Sequence, residues 1–156
     1  MPKIDLAAVP LRSGSRYPEP FNAPCRDKGR MRLGMAAGLT QFGVNVLVLQ
    51  PGAWSGQRHW HAAEDEFVYV LSGEVVLITD AGEEVLRAGD CAGFKAGEPD
   101  GHHLVNRSAS EARVLEVGTR APEGEDAVDY PDIDMVIPKG ASGYHHRDGA
   151  PYDAPR

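Results

Sequence analysis

The sequence predicts an all-β protein that forms a sandwich or a barrel. Short apolar segments rich in Val, Leu and Ile recur along the middle of the chain, and turns containing Gly or Asp separate them. Segments of this kind at short spacing are typical of antiparallel β architectures. The middle of the chain also lacks the 3.6-residue apolar periodicity of a long helix. Alternating strand and helix units are therefore not expected.

The longest apolar run covers residues 39–49 and is dominated by Val and Leu. Because it is nearly unbroken, it predicts a strand that is buried on both faces. One face would fill the interior, and the other would need a partner, which we expect to be a second subunit in a homodimer. Further strands are predicted, in chain order, at residues 67–71, 74–79, 84–87, 91–95, 104–106 and 113–117, with an edge strand at 134–137.

Composition divides the chain into three parts. Residues 1–38 are rich in Pro and Gly, which disfavours a long helix. This segment nevertheless contains aromatic and apolar residues, so we expect an ordered N-terminal arm that packs on the barrel. Residues 39–118 form the predicted barrel. Residues 119–156 are first acidic and then Gly/Pro-rich, and we expect a C-terminal extension.

Bulk composition excludes several classes of function. The chain has 156 residues, which fits one domain, and 16 basic against 23 acidic residues give a net charge of −7. This balance argues against nucleic-acid binding, which needs a basic face. The sequence shows neither an apolar run of membrane-spanning length nor a secretory signal, and its cysteines, Cys25 and Cys91, are too few for a disulfide scaffold. We expect a cytoplasmic protein with no membrane partner.

A cluster of potential metal ligands lies just before the segment at 67–71. His59 and His61 are separated by one residue, and Glu66 follows them closely. In an extended strand, alternate side chains share a face, so the two imidazoles would point into one cavity. Imidazole nitrogens and a carboxylate oxygen suit a divalent transition metal. An isolated motif of this length is also compatible with two surface histidines beside an acidic turn.

A second group of residues makes the pattern specific. His59-Trp60-His61, Glu66 and Gly73 are followed, after two more predicted strands, by Gly89, Gly97, a histidine pair at 102 and 103, and Asn106. These two motifs resemble those of the cupins, which are small double-stranded β-helix (jelly-roll) barrels. The resemblance covers residues 52–106. It implies that the metal ligands are His59, His61, Glu66 and His102. Alternation allows only one histidine of the pair to face inward, and the three-residue spacing to Asn106 favours His102 over His103.

The resemblance also implies a broad range of functions, because one fold hosts many activities. We expect a divalent transition metal, Fe, Mn, Ni or Zn, with coordination positions left open for a small-molecule ligand. An enzyme acting on a small oxygen-rich molecule is favoured, with dioxygenase (oxidoreductase) chemistry slightly ahead of isomerase, lyase or cyclase chemistry. A non-catalytic module that binds a sugar or an organic acid is the alternative. The general acid or base is not identified, although Glu64 and Asp65 are the nearest acids in the sequence.

Overall fold

The computed structural model describes residues 3–153, which form twelve β-strands and little helix. A four-residue helix, α1 (Leu33–Ala36), and two short 3-10 helices, Leu6–Ala8 and Ala23–Cys25, lie in the first quarter of the chain. The strands are β1 (Leu11–Ser13), β2 (Lys28–Met31), β3 (Phe42–Leu49), β4 (Trp60–His61), β5 (Glu66–Ser72), β6 (Glu74–Thr79), β7 (Gly82–Arg87), β8 (Cys91–Phe94), β9 (His103–Val105), β10 (Ala112–Thr119), β11 (Val128–Tyr130) and β12 (Met135–Ile137).

The strands form two layers. Six of them make one sheet in the order β1-β2-β3-β10-β5-β8, and every pair in it is antiparallel. The other layer contains two three-stranded sheets, β7-β6-β9 and β12-β11-β4. An isolated bridge between His59 and His102 connects the end of β4 to the end of β9. The predicted all-β jelly-roll fold is thereby confirmed.

All the strands predicted from the sequence are present, and their ends differ by at most three residues. The first predicted strand is shorter than expected, because residues 39–41 lie outside β3. Only Val46 to Leu49 are buried on both faces, whereas Phe42 to Asn45 are half-buried or exposed. The prediction of a strand buried on both faces is therefore wrong for its first half, since that half borders a cavity.

Both terminal segments contribute strands that the sequence pattern did not reveal. Within residues 3–38, β2 pairs with β3, and β1 pairs with β2. Within residues 119–153, β11 pairs with both β4 and β12. The pairing with β11 matters for function because β4 is only two residues long and carries His61.

The buried apolar residues form two clusters. The larger one fills the space between the two layers and consists of Leu47, Leu49, Ala53, Val68, Val70, Val75, Leu77, Leu86, Leu104, Ala112 and Val114. The smaller one joins the two terminal segments and consists of Tyr17, Cys25, Val128, Tyr130 and Met135. Burial of this second cluster holds the terminal segments against each other beside β4. Among residues 3–153, no helix is both long enough and apolar enough to cross a membrane.

Candidate metal centre

The backbone brings the first two histidines of the site opposite the third. His59 donates its N–H to the carbonyl of His102 over 3.2 Å, and His102 donates in return to the carbonyl of His59 over 2.9 Å. This reciprocal pair fixes the register between the two segments. His61, two residues further along, points the same way as His59, with the two ring centroids 5.2 Å apart. Strand alternation thus places the three imidazoles at one end of the barrel.

One carboxylate lies among the three imidazoles. Oε2 of Glu66 lies 3.9 Å from Nε2 of His59 and 3.8 Å from Nε2 of His61. Nε2 of His102 lies 2.9 Å from the same oxygen and donates a hydrogen bond to it. Ligand atoms of His59, His61 and Glu66 all lie within 4.8 Å of one another. The residues expected from the sequence are therefore brought together.

His103 lies on the other side of its strand and does not join this group. Its Nδ1 lies 2.9 Å from the carbonyl oxygen of Gly56, and its ring packs edge-on against Trp54 with centroids 4.7 Å apart. His102 faces the cluster instead, and its ring stacks on Phe94. Geometrically, His102 is the member of the pair that faces the cluster, as the spacing to Asn106 favours.

Hydrogen bonds fix which nitrogen of two histidines carries the proton. Nδ1 of His59 lies 2.7 Å from the carbonyl oxygen of Gln57, and Nδ1 of His61 lies 2.6 Å from Oδ2 of Asp126. Both partners are acceptors, so in each ring the Nδ1–H donates and a neutral ring keeps a lone pair on Nε2. These lone pairs lie on the side of Glu66, where a cation would need them.

The charges of the cluster suit a cation. Burial lowers the pKa of His59 to about 4. Burial alone would raise the pKa of Glu66, but the hydrogen bond from His102 and the electrostatic effect of the nearby imidazoles of His59 and His61 lower it to about 2. At neutral pH, His59 is therefore a neutral donor and Glu66 is an anion.

A polar cavity of about 210 Å³ opens beside this cluster. Its floor carries Arg30, whose Nη2 donates to Oε1 of Glu116 over 3.0 Å. Glu64 also lines the cavity, and its Oε1 accepts a 2.9 Å hydrogen bond from the amide of Ala121. Asp65, the other acid expected near the site, instead accepts a hydrogen bond from the amide of Ala96. Of the two acids, Glu64 is the one that reaches the cavity.

The cavity also contains an arginine with no carboxylate beside it. Arg120 lines the cavity and lies above Gly43, with its Nη2 3.8 Å from the position that a Cβ would take there. Within residues 3–153, Arg120 forms no ion pair. Its charge is therefore available to an anionic ligand, whereas the charge of Arg30 is balanced by Glu116.

Comparison with known proteins places the fold in a family. Residues 45–118 match the family described as the cupin domain. A sugar phosphate isomerase of the cupin superfamily from Silicibacter pomeroyi is 44% identical, with 98% of each chain covered and a TM-score of 0.90. This chain belongs to the cupin superfamily. No curated protein matches it.

Two further structures extend the comparison of this cupin. A protein from Acidithiobacillus ferrooxidans, provisionally assigned as a sugar phosphate isomerase, is 27% identical, covers 86% of this chain and 85% of its own, and has a TM-score of 0.74. A polyketide cyclase from Streptomyces resistomycificus is 20% identical, covers 76% of this chain and 79% of its own, and has a TM-score of 0.60. The likeness to the cyclase shows the fold alone.

The donor set of this cupin fits a divalent transition metal. Two donors on one ion with bonds of about 2.1 Å lie roughly 3 to 4 Å apart, depending on the angle between the bonds. The separations of 3.8 and 3.9 Å between Glu66 and the two histidines lie at the upper end of this range. His102 also presents a buried Nδ1 that has no hydrogen-bond partner within residues 3–153. Three imidazoles and one carboxylate would leave room for exogenous ligands on an octahedral ion.

Sequence reasoning missed four functional candidates in this cupin: Arg30, Glu116, Arg120 and Asp126. The signal for Glu116 was available, because it interrupts the apolar alternation of β10. The other three lie in segments without clear periodicity. Their proximity to the site depends on tertiary pairing, which a single sequence does not reveal.

Proposed function

We propose that this cupin is a metal-dependent isomerase of phosphorylated sugars. The observation that carries the proposal is the 44% identity to a sugar phosphate isomerase over 98% of both chains. The cluster of His59, His61, Glu66 and His102 beside a polar cavity supports the same reaction class. Among the activities considered from the sequence, this evidence favours the isomerase alternative over dioxygenase chemistry.

The proposed centre holds Fe, Mn, Ni or Zn through His59, His61, Glu66 and His102. A divalent cation bound there supplies Lewis-acid chemistry, because it withdraws charge from the carbonyl and hydroxyl oxygens of a sugar. His59 and His61 are held in place through their Nδ1 atoms. Their Nε2 lone pairs are therefore oriented before any ligand arrives, which reduces the reorganisation that binding requires.

Interconversion of an aldose and a ketose is a proton transfer without net oxidation. A base removes the proton from the hydroxyl-bearing carbon beside the carbonyl, and a proton, which the base can exchange with solvent, returns to the former carbonyl carbon. The hydroxyl proton moves from one oxygen to the other, so atoms and electrons balance. We assign the base to Glu64, since its Oε1 is anchored by Ala121 while the carboxylate lines the cavity.

The phosphate group would be recognised by Arg120. A guanidinium binds phosphate well because its planar donors match two phosphate oxygens. Between Arg120 and Glu66 the inner surface is formed by Gly43 and Gly118, which pair directly across β3 and β10. Gly118 in turn pairs with Glu66 across β10 and β5. The lack of side chains at both glycines leaves a path along which the carbon chain of a sugar would lie.

The first experiment is an isomerase assay on the chain loaded in turn with Fe, Mn, Ni and Zn. A panel of aldose phosphates and the same sugars without phosphate are incubated in D₂O, and NMR follows conversion and deuterium uptake at the carbon next to the carbonyl. We expect conversion of a phosphorylated sugar only. The variant His61→Ala should lose both the bound metal and turnover, since it removes one donor from the centre.

A matched control separates loss of the site from loss of the fold. His145→Ala removes another histidine ring, whose Nδ1 lies 3.1 Å from the carbonyl of Gly143, away from the cavity. It should keep the metal and the activity. Metal-free turnover at the wild-type rate in His61→Ala would contradict the proposal. Tight binding of a sugar phosphate without any product would replace it with a non-catalytic binding role.

A further inference from the structure

Asp126 lies outside the region that matches the cupin domain, yet its carboxylate contacts the metal centre. Its Oδ2 lies 2.6 Å from Nδ1 of His61, and its Oδ1 accepts a 2.8 Å hydrogen bond from the amide of Ala63. The side chains of Asp126 and His61 are each only 17% exposed. One carboxylate thus binds both the ring of a candidate ligand and the backbone two residues beyond it.

We propose that Asp126 is a positioning residue of the metal centre, which holds His61 in the tautomer that leaves Nε2 free to bind the metal. The inference rests on the metal-dependent function proposed above, and it goes beyond that function by assigning a role to the C-terminal segment. Asp126 would act through His61 and would not touch the metal or the substrate.

The tautomer follows from the chemistry of the two groups. A neutral imidazole carries one N–H, and a carboxylate can only accept a hydrogen bond. At 2.6 Å, Asp126 therefore keeps the proton of His61 on Nδ1. Without this acceptor, the ring could protonate on Nε2 instead and lose its lone pair towards Glu66. The negative charge also makes the ring a stronger donor to a cation.

The backbone around Asp126 reinforces this position. β11 begins two residues after Asp126 and pairs Val128 with His61. Ala62 donates its amide to the carbonyl of Ala127 over 2.9 Å. The two-residue strand that carries His61 is therefore held by the C-terminal segment through both backbone and side-chain contacts. The segment 119–153 is then part of the site and does not merely cover it.

A second cation site is the competing interpretation. Ligand atoms of His61, Glu64 and Asp126 also lie within 4.8 Å of one another. However, both oxygens of Asp126 already accept hydrogen bonds, and Oε1 of Glu64 accepts one from Ala121. These contacts favour a role as acceptor over a role as ligand. The number of ions bound per chain distinguishes the two interpretations.

The chain contains a matched control for Asp126. Asp134 makes the same pair of contacts on the surface: its Oδ2 lies 2.7 Å from Nδ1 of His146, and its Oδ1 accepts a 2.9 Å hydrogen bond from the amide of Arg147. His146 does not belong to the cluster around Glu66. A substitution at Asp134 therefore removes the same kind of interaction without touching the metal centre.

The test compares Asp126→Asn with Asp134→Asn in the full chain. The side-chain amide of Asn has one acceptor oxygen, so it cannot accept hydrogen bonds from Ala63 and His61 on two separate oxygens as the carboxylate does. Its NH₂ group would donate to Nδ1 of His61 and so favour the tautomer with the proton on Nε2. Zinc and manganese affinities are measured by competition with a chelator, and ions per chain by elemental analysis. We expect Asp126→Asn to weaken binding by about 10- to 100-fold. Asp134→Asn should not change it.

A second measurement does not require enzyme loaded with metal. Nitrogen NMR of the metal-free protein should show His61 with its proton on Nδ1 in the wild type and a shift of population to Nε2 in Asp126→Asn. Should Asp126→Asn fail to fold, Asp126→Glu provides the comparison with the charge retained, and its affinity for the metal should be lower than that of the wild type.

The outcomes separate the two proposals. An affinity within twofold of wild type for Asp126→Asn, or an unchanged His61 tautomer, would overturn the positioning role. Loss of one of two bound ions would overturn it too and make Asp126 a ligand. Wild-type protein that binds metal without isomerase turnover would contradict only the proposed function. The role of Asp126 would remain testable, because it is measured by metal affinity. A wild type that binds no metal would overturn both.

Discussion

The interior of the barrel has two ends that are built on the same strands but differ in chemistry. Along the inner face of β3, Leu49 and Leu47 are fully buried, whereas the next two inner positions are Asn45 and Gly43. The change occurs within one strand, over four alternate residues. One end of the barrel is therefore a packed apolar core, and the other is open and polar.

The neighbouring strands also change from apolar to polar inner residues at the same distance along the barrel. Leu47 pairs with Val114 of β10, and Val114 pairs with Val70 of β5. Two residues further towards the open end, Asn45 pairs with Glu116. Beyond that level, Gly118 pairs with Glu66. Apolar burial stabilises the fold at the closed end, and this allows the open end to carry charged groups that contribute little to stability.

The largest effect on stability is expected at the closed end. Leu47→Ala removes a side chain that is 0% exposed, so it should lower the free energy of unfolding by about 2–5 kcal/mol through lost burial and the cavity left behind. Asn45→Ala, on the same strand and face, should lower it by roughly 1 kcal/mol or less. Denaturant unfolding of both metal-free variants measures the difference.

Equal destabilisation of the two variants would contradict the expected difference between the two ends of the barrel. Equal losses would mean that the polar end is as important for folding as the apolar core. Metal content provides the converse check, because Leu47→Ala should retain the metal under conditions in which it remains folded. Release of the metal by Leu47→Ala at such conditions would show that the two ends are not independent.

The apolar end is also the part that the sequence predicts well. Strands β3, β5, β6 and β10 follow from runs of Val and Leu, which indicate buried strands even when their partners are unknown. The proximity of the candidate ligands is predictable too, since His59 and His61 alternate along one extended segment and the motif supplies Glu66 and His102. Asp126 reaches the site only through the pairing of β11 with β4. Arg120 follows β10 and lies beside β3, where its amide donates to the carbonyl of Gln41. Such long-range pairing leaves no periodicity in the sequence.

A smaller effect, confined to function, is expected from the charge at the open end. Arg120→Ala should raise the KM for a phosphorylated sugar by about 10- to 100-fold, because a charged hydrogen bond contributes about 1.5–3 kcal/mol. The free energy of unfolding should stay within about 0.5 kcal/mol of wild type, since the side chain is exposed.

Arg113 is the control for Arg120. It lies on β10, is exposed and pairs with Glu111 over 2.8 Å. Arg113→Ala removes an arginine of the strand that precedes Arg120, outside the cavity, so the KM should remain at its wild-type value. A rise in KM of similar size in both variants would attribute the effect to the overall charge of the chain and not to a phosphate site.

The smallest effect on the monomer is expected on the outer face of the six-stranded sheet. Tyr69 and Leu71 lie two residues apart on β5 and are 38% and 46% exposed, and Tyr69 pairs with Leu115 of β10. Paired residues share a face, so this surface is apolar across two adjacent strands. Because each chain carries a net charge of −7, two copies repel each other at a distance, and an uncharged face is where they would associate.

We therefore expect a homodimer in which a second copy covers this face. Tyr69→Glu places a charge in the interface and should convert the dimer to a monomer in light scattering at micromolar concentration, while the monomer stays folded. Val85→Glu is the matched control: Val85 is 41% exposed on β7 of the opposite layer, so that variant should remain dimeric. A monomeric wild type would contradict the expectation. Dissociation by Val85→Glu alone would instead place the interface on the other layer. The apolar residues on the outer face would then have no partner, in contrast to the buried apolar residues of the closed end.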